Sequence, residues 1–162
     1  MKEILLPEGK TTLVDDEDYE YLNQWKWSFI KAKNTDYARR VYRAKGKHFT
    51  IKMHRLIMNC PDGLQVDHKD HNGLNNQKSN LRICTKQQNR FNSQKEINCS
   101  SKYKGVSISK GFIKASIGGG GKLINLGYFK TEIEAAKAYD KEALRIYKEF
   151  ANIFFAFILI KH

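Results

Sequence analysis

The sequence predicts an α+β fold made of small antiparallel sheets and short helices. Short segments such as residues 25–30 alternate bulky and polar side chains, which is typical of half-buried strands. Turn-forming Asn and Gly residues lie between such segments and indicate hairpins. Capping-box patterns at residues 85–88 and 131–134 mark helices that begin just after strand-like runs. Together they predict a small N-terminal sheet and a strand–loop–strand–helix unit, linked to a three-stranded antiparallel sheet packed on one helix.

The length and charge of the chain limit its organisation and its partners. At 162 residues the chain has room for one domain or for two small ones. Basic residues outnumber acidic residues by 29 to 17, which gives a net charge of +12. This excess favours a protein that binds a polyanion, with nucleic acid as the expected partner. The alternative is a solvated basic surface on a protein of any function.

The three cysteines predict free thiols in a reducing compartment. Cys60, Cys84 and Cys99 form no Cys-x-x-Cys pair, so no structural zinc site of that kind is expected. Free thiols are usual in the cytosol. The apolar run at residues 4–6 is too short for a signal peptide. The expected location is therefore the cytoplasm.

The N-terminal region is predicted to support the central segment. Residues 1–14 should form one or two short strands. Five acidic side chains within residues 15–20 favour the start of a helix over a catalytic carboxylate cluster. Runs at residues 25–30, 37–42 and 48–53 should form a sheet, with a helix following near residues 56–58. The polar side of this sheet should be basic, with phosphate contacts from some of Lys31, Lys33, Arg39, Arg40, Arg43, Lys45, Lys47 and Lys52.

The central segment concentrates side chains that bind metals or transfer protons. Val66 leads into Asp67 and His68, which should leave the end of a short strand on opposite sides. A loop rich in Asn and Gly follows, and residues 81–84 indicate the second strand of a hairpin. The capping box then places Asn89 in the first turns of a helix that can lie back across this hairpin.

The chemistry of this segment favours hydrolysis assisted by a metal ion. Asp67 and Asn89 would face a common pocket, and two protein oxygens with room for water suit magnesium. His68 has an ordinary pKa of about 6.5, so it can take a proton from water near neutral pH. The alternative is a polar loop that contains a hydrogen-bonded histidine.

The pattern of Asp67-His68, Asn80 and Asn89 resembles the signature of HNH endonucleases, whose fold is the ββα-metal finger. The close match covers residues 53–92, and the preceding segment resembles phage-type HNH homing endonucleases. This resemblance implies Asp67 and Asn89 as metal ligands and His68 as general base, with Asn80 holding the loop and the base in position. Magnesium is the implied ion, with manganese as an alternative and no organic cofactor. If the chain is phage-encoded, its compartment is the bacterial host cytoplasm.

A second module is expected after a linker at residues 93–102, where Ile97 is the clear apolar anchor. Apolar residues alternate with hydroxyl or lysine side chains at residues 106–109 and 113–117, and a third strand is expected at residues 123–126. The helix that begins after Thr131 has a broad face of small residues. This helix should cover the apolar face of the sheet and leave its polar face open.

The second module, within residues 102–153, resembles the ethylene-response-factor (Apetala-type) DNA-binding domain of plants. Three segments carry the resemblance, at residues 103–106, 126–129 and 134–140. Serines and Asn125 stand where the plant domains carry arginine and tryptophan, so base preference does not transfer. The glycine run at residues 118–121 is interpreted as a flexible hairpin turn rather than a phosphate loop, since no Lys-Ser/Thr and helix start follows.

The predicted domains are an HNH endonuclease domain at residues 1–92, with its core at 53–92, and the DNA-binding domain with an apolar tail at 103–162. The apolar run at residues 150–160 is too short to cross a bilayer, which takes roughly 20 residues. The run either packs under the second sheet or forms a poorly specified end. Side chains of both domains are expected to contact DNA: His54, Arg55, Arg90, Lys104, Ser107, Ser109, Lys110, Lys114, Ser116, Lys122 and Asn125.

The predicted function is cleavage of double-stranded DNA by a monomer. One HNH unit cuts one strand, so a nick is the expected product and a double cut would need a dimer. Two alternatives remain at the level of sequence. One is a DNA-binding regulator without catalytic activity, and the other is an RNA-binding or nucleic-acid-packaging protein.

Overall fold

The computed structural model describes residues 1–94, 99–119 and 121–155. The chain divides into two compact units, Met1–Asn89 and Arg90–His162. Hydrophobic clusters fill both units. The first unit and the second unit are named below by these bounds.

The first unit contains three antiparallel sheets. The elements in chain order are β1 (Lys2–Leu5), β2 (Thr11–Val14), α1 (Asp16–Asn23), β3 (Ser28–Lys31), β4 (Asp36–Ala44), β5 (Lys47–Lys52), α2 (Met53–Ile57), β6 (Gln65–His68), β7 (Leu81–Cys84) and α3 (Lys86–Asn92), whose last residues belong to the second unit. Strand β1 pairs with β2, β4 lies between β3 and β5, and β6 pairs with β7.

The core of the first unit joins the N-terminal hairpin to the elements that precede β6. Its buried members are Ile4, Leu6, Val14, Leu22, Trp27, Ala38 and Met53. The indole Nε1 of Trp27 donates a hydrogen bond to the carbonyl of Leu22 at 2.8 Å, so this buried polar atom is satisfied. Because Met53 is the first residue of α2, packing in this core fixes the helix that also carries His54.

Backbone hydrogen bonds tie strand β2 to the loop between β6 and β7. The amide of Leu13 donates to the carbonyl of Leu74, and the amide of Asn76 donates to the carbonyl of Leu13, both at 2.8 Å. Leu13 and Asn75 thus form an isolated parallel bridge. This pairing attaches the Asn-rich loop to β2, although the loop and the strand are far apart in sequence.

The second unit is a three-stranded antiparallel sheet covered by one helix. Its elements are β8 (Val106–Ser109), β9 (Phe112–Gly119), β10 (Lys122–Phe129) and α4 (Glu132–Tyr147), with β9 central. The buried alanines Ala135, Ala136 and Ala143 allow α4 to approach the buried Ala115 and Ile117 of β9 closely.

A polar contact fastens the described part of the apolar tail. The buried carboxylate of Asp140 accepts hydrogen bonds from the backbone amides of Phe154 and Phe155, at 3.0 and 2.8 Å. Phe155 packs with the cluster around Tyr103, while Phe154 is 58% exposed. The tail therefore packs on the second unit as far as residue 155. Residues 156–160, like Ile97 of the expected linker, lie outside the described residues.

The predicted fold class is confirmed. Both capping boxes form: Thr85 and Gln88 exchange bonds at the start of α3, and Thr131 and Glu134 do so at the start of α4. The sequence analysis did not predict one local feature. The β9–β10 register shifts at a bulge between Asn125 and Gly127. Within the ranges that the structure describes, no helix is long and apolar enough to cross a membrane.

Gly105 provides a test of the packing between sheet and helix. Its φ is +74°, and an added Cβ would lie 2.0 Å from Cδ2 of Tyr139 and 2.7 Å from the carbonyl oxygen of Ser116. Gly111 has a similar φ of +80° with no atom within 4 Å. Both Gly→Ala changes carry the left-handed backbone penalty of about 1–2 kcal/mol. Only Gly105→Ala adds the cost of overpacking, about 1–3 kcal/mol.

We therefore expect Gly105→Ala to lower the free energy of unfolding by at least about 1 kcal/mol more than Gly111→Ala. Urea unfolding followed by circular dichroism measures this difference. Equal losses in the two variants would contradict the close approach of Tyr139 to the backbone of Gly105.

Candidate active site

Strand β6 ends in Asp67 and His68, two buried polar residues that are each 5% exposed. Since consecutive side chains of a strand point to opposite sides, the carboxylate and the imidazole lie on different faces of the β6–β7 hairpin. In the register of this hairpin, Asp67 is paired with Arg82 and His68 with Leu81.

The carboxylate of Asp67 forms a two-point ion pair with Arg82. Oδ2 of Asp67 accepts from Nε of Arg82 at 2.8 Å and from its Nη2 at 2.6 Å. The Asp67 charge also affects its neighbours. Burial raises the pKa of Tyr37, and the Asp67 charge raises it further. Burial likewise raises the pKa of Cys84 to about 11, with a further rise from Asp67.

Helix α3 brings Asn89 to the Asp67 side of the hairpin. Nδ2 of Asn89 donates to Oε1 of Gln65 at 2.8 Å. Gln65 and Asp67 are two positions apart in β6 and therefore share a face. The capping box that starts at Thr85 sets the first turn of α3. Two residues that are distant in sequence are thus brought to one side of a short hairpin.

His68 is held between two aromatic rings and an amide. Its Nε2 lies 3.2 Å from Oδ1 of Asn76. Its ring centroid lies 5.0 Å from that of His54 and 5.7 Å from that of Tyr37. Burial lowers the pKa of His68, although the Asn76 contact and the charges of Asp70 and Asp67 oppose this. The imidazole is therefore neutral near pH 7.

His54 lies edge-on to the His68 ring and is also buried, at 5% exposed. Burial, then the proximity of His68, Lys52 and Arg55, lowers the pKa of His54 to about 3. Its Nδ1 is buried and has no hydrogen-bond partner among the described residues. The second imidazole of the site is therefore an uncharged ring with one unsatisfied polar atom.

Asn80 forms hydrogen bonds with both Asp70 and Asn75 in the loop between β6 and β7. Its Nδ2 donates to Oδ1 of Asp70 and to the carbonyl of Asn75, both at 2.9 Å, and its Oδ1 accepts from the amide of Asp70 at 3.0 Å. Partial burial of Asp70 raises its pKa, but hydrogen bonds from Asn72, Asn75 and Asn80 outweigh this and hold it below its usual range. The predicted role of Asn80 in positioning the loop stays a prediction, and these contacts suit it.

Residues 53–91 match the family model described as HNH endonuclease. Over 156 residues the chain is 34% identical to an uncharacterised HNH endonuclease of Acanthamoeba polyphaga mimivirus, a match that covers 91% of this chain and 77% of that protein.

The chain belongs to the HNH endonuclease family. Membership confirms the predicted HNH resemblance and implies phosphodiester hydrolase activity on DNA. No solved structure matches the chain. The relative is similar over most of both chains, including both units of this one, but the resemblance of the second unit to plant DNA-binding domains stays a prediction.

HNH nucleases generally use a divalent metal ion, and the residues on the Asp67 face fit one. Asp67 offers a carboxylate and Asn89 a carboxamide oxygen. Magnesium commonly takes one or two protein oxygens of these kinds and completes its shell with water and substrate phosphate. Within the described ranges, no group of three or more His, Cys, Asp and Glu side chains could hold a metal ion.

Two side chains that were predicted to contact DNA, Arg55 and Lys104, donate hydrogen bonds to backbone carbonyls of the protein itself. The guanidinium of Arg55 donates to the carbonyls of Leu64, Cys60 and Pro61, at 2.7, 3.2 and 3.2 Å, and so braces the segment that leads into β6. Lys104 of the second unit shows the same behaviour.

Nζ of Lys104 donates to the carbonyls of Phe91 and Ser93, at 2.7 and 2.6 Å. Burial lowers the pKa of Lys104 to about 8. Its contacts are those of a lysine that caps the end of a helix, because α3 ends at Asn92. A contact with DNA would require this amine to exchange partners.

Most of the other predicted DNA contacts of the second unit are exposed. On the face of the sheet that α4 leaves open, Asn125 of β10 is paired with Ser116 of β9. Lys110 lies in the β8–β9 turn with a φ of +49°. Of the predicted DNA contacts, the exposed side chains are Arg90, Ser107, Ser109, Lys110, Lys122 and Asn125. Lys114 and Ser116 are half-buried.

Sequence reasoning missed several residues of the site. Arg82, Asn76 and Thr12 were not singled out, although Arg82 is the only basic residue between the apolar positions of β7. On the open face of the second sheet, Phe112 and Tyr128 are 66% and 65% exposed, with ring centroids 6.2 Å apart. Aromatic residues at the polar-face positions of lysine-rich strands were the available signal in the sequence.

The buried neutral His54 predicts a loss of stability in acid. In the unfolded chain a histidine takes up a proton below about pH 6.5, whereas folded His54 resists this down to about pH 3. Between these values the unfolded state binds more protons, so stability falls as the pH falls. We expect His54→Gln to reduce the difference in unfolding free energy between about pH 7 and pH 5.

Urea unfolding at the two pH values measures this difference. His48→Gln is the matched control, because His48 is exposed on β5, and it should behave as the parent. A pH dependence that His54→Gln leaves unchanged would mean that His54 does not stay neutral in the folded protein.

Proposed function

We propose that the protein is a magnesium-dependent HNH DNA endonuclease of the homing type that nicks one strand of a duplex. The observation that carries the proposal is the contact of Asn89 with Gln65, which lies on the face of β6 that bears Asp67. Buried His68 follows Asp67 at the end of the same strand, and the Asp67 charge acts on its pKa. One carboxylate, one carboxamide and one neutral imidazole suit hydrolysis of a phosphodiester.

His68 is the proposed general base. Its imidazole is neutral near pH 7 because burial lowers its pKa, so it can accept the proton of an attacking water. The rings of His54 and Tyr37 limit the orientations available to it. A base already held in place loses little entropy when the reaction begins.

Asp67 and Asn89 are the proposed ligands of the divalent ion. When bound, the ion would supply Lewis-acid stabilisation of the charge that develops on the phosphate and the departing 3′ oxygen. Arg82 fixes the Asp67 carboxylate through two hydrogen bonds and so sets the direction of its oxygens. The expected products carry a 5′-phosphate and a 3′-hydroxyl.

The second unit is proposed to guide the choice of site as an ethylene-response-factor-type DNA-binding domain. Residues 102–130 contain six lysines and no acidic residue. Helix α4 covers one face of the sheet and leaves the other accessible, with short polar side chains at Ser107, Ser116 and Asn125. Lysines would contact phosphates while the short polar groups reach base edges in the major groove.

A DNA-binding regulator without catalytic activity is the second candidate. Two observations favour it: Arg82 already engages Oδ2 of Asp67, and His68 is only 5% exposed. Such a protein would bind duplex DNA without cutting it in magnesium or in manganese.

One experiment separates the two candidates. Supercoiled DNA is incubated with the protein and magnesium, and the new ends are sequenced. An endonuclease gives nicked circles with defined ends, and a chelator stops the reaction. Intact supercoils in both metals, together with a shifted DNA band, would instead establish the regulator.

Removal of the base provides the residue-level test. General base catalysis is typically worth 10²–10⁴-fold, so we expect His68→Ala to slow nicking by about 10²-fold or more with duplex affinity nearly unchanged. Single-turnover nicking and a binding titration measure the two quantities. His71→Asn is the matched control, because His71 lies in the same loop with a φ of +65° that asparagine tolerates.

The nicking rates of the two variants distinguish the outcomes. His71→Asn should nick at the rate of the parent. A His68→Ala protein that nicks as fast as the parent would assign the base to another residue.

The proposed DNA contact of the second unit can be measured by its salt dependence. Each phosphate contact contributes about 0.9 to the slope of log affinity against log salt concentration. We expect Lys122→Gln to reduce this slope by about one contact, while Lys141→Gln, an exposed lysine on α4, leaves it unchanged. Equal slopes for both variants and the parent would remove Lys122 from the interface.

A further inference from the structure

A chain of hydrogen bonds that runs through the buried side chains of Thr12 and Asn76 ends at His68. It begins at the backbone carbonyl of Leu74, which lies 2.7 Å from Oγ1 of Thr12. Oγ1 of Thr12 lies 2.8 Å from Nδ2 of Asn76, and Oδ1 of Asn76 lies 3.2 Å from Nε2 of His68. Thr12 and Asn76 are both 0% exposed, so water does not compete for these contacts.

The direction of the first bond follows from chemistry alone. A carbonyl oxygen can only accept, so the hydroxyl of Thr12 must donate its single proton to Leu74. The other nearby acceptor is the sulfur of Met53 at 3.9 Å, which is longer and weaker. The hydroxyl oxygen of Thr12 is then left to accept a proton from Asn76.

The direction of the later bonds follows from the first. Only the Nδ2 end of the Asn76 amide can donate, so that end faces Thr12 and the Oδ1 end faces His68. An amide oxygen can only accept, so Nε2 of His68 must carry the proton. A neutral imidazole has one N–H, and its lone pair therefore lies on Nδ1.

We propose that Thr12 and Asn76 are positioning residues that hold His68 in the tautomer with its proton on Nε2, so that Nδ1 is the atom that takes the proton from water. The inference rests on the proposed role of His68 as general base. Asn76 and Thr12 act through His68 and touch no substrate atom. Their role is separate from that of Asn80, whose contacts tie Asp70 to Asn75.

The hydrogen bond between Nε2 of His68 and Oδ1 of Asn76 is compatible with both protonation states of the base. After Nδ1 has taken a proton, Nε2 still carries its own, and Oδ1 of Asn76 still accepts from it. The ring therefore need not turn during the reaction. The backbone bonds that join Leu13 to Leu74 and Asn76 hold the chain of hydrogen bonds in register.

Thr12→Val tests this inference, because valine has the shape of threonine without its hydroxyl. The Asn76 amide then loses the contact that sets its direction and can present either end to His68. We expect single-turnover nicking to slow about 10- to 100-fold with DNA affinity retained, the range seen when residues that orient metal-bound histidines are removed. Thr12→Ser keeps the hydroxyl and should restore the rate.

A spectroscopic readout tests the tautomer without any activity. In the ¹⁵N-labelled full-length protein at about pH 8, above the ordinary histidine pKa of about 6.5, correlation of ring nitrogens with ring protons identifies the protonated nitrogen. The His68 signals are assigned by their loss in His68→Ala. We expect the proton on Nε2 in the parent and in Thr12→Ser, and a mixture of tautomers in Thr12→Val.

Each result either supports or overturns the inferred role of Thr12 and Asn76. A parent spectrum with the His68 proton on Nδ1 overturns the inference, as does a folded Thr12→Val protein that keeps both the parent rate and the parent tautomer. If Thr12→Val does not fold, Thr12→Ala replaces it, since alanine also lacks the hydroxyl and should give the same mixture of tautomers. If the parent fails to nick any DNA, the proposed function fails, whereas the spectrum still reports the tautomer.

Discussion

The site depends on backbone hydrogen bonds between one residue of β2 and a loop far along the chain. Leu13 bonds to Leu74 and to Asn76, and this short parallel bridge fixes a loop that is rich in Asn and Gly and has little apolar packing of its own. Such a loop alone would sample many conformations. Since β2 belongs to the hydrophobic core of the first unit, the rigidity of that core extends to the residues around His68.

Burial gives the two histidines different properties from those of solvent-exposed imidazoles. His54 and His68 lie beside each other, and desolvation keeps both uncharged, so they do not repel each other. Two charged rings 5.0 Å apart would be costly in a buried site. The ring of Tyr37 lies beside both imidazoles, at centroid distances of 5.4 Å from His54 and 5.7 Å from His68.

The sequence was sufficient for features that depend on neighbouring residues. The capping boxes at Thr85 and Thr131, and the alternating strands, are local patterns, and the helices and sheets follow them. The polar partners within the site were not predictable in this way. Asn76 meets Thr12 across 64 positions, and Arg82 meets Asp67 through the register of a hairpin. No local period in a sequence encodes such pairings, because they arise only when the elements pack.

The Asp67–Arg82 ion pair has a consequence for the stability of the β6–β7 hairpin. Small finger-like domains that use a bound ion to neutralise their ligands unfold when the ion is withdrawn. Here an internal guanidinium balances the carboxylate within the hairpin itself. The Asp67 charge is therefore balanced within the folded hairpin, without any bound ion.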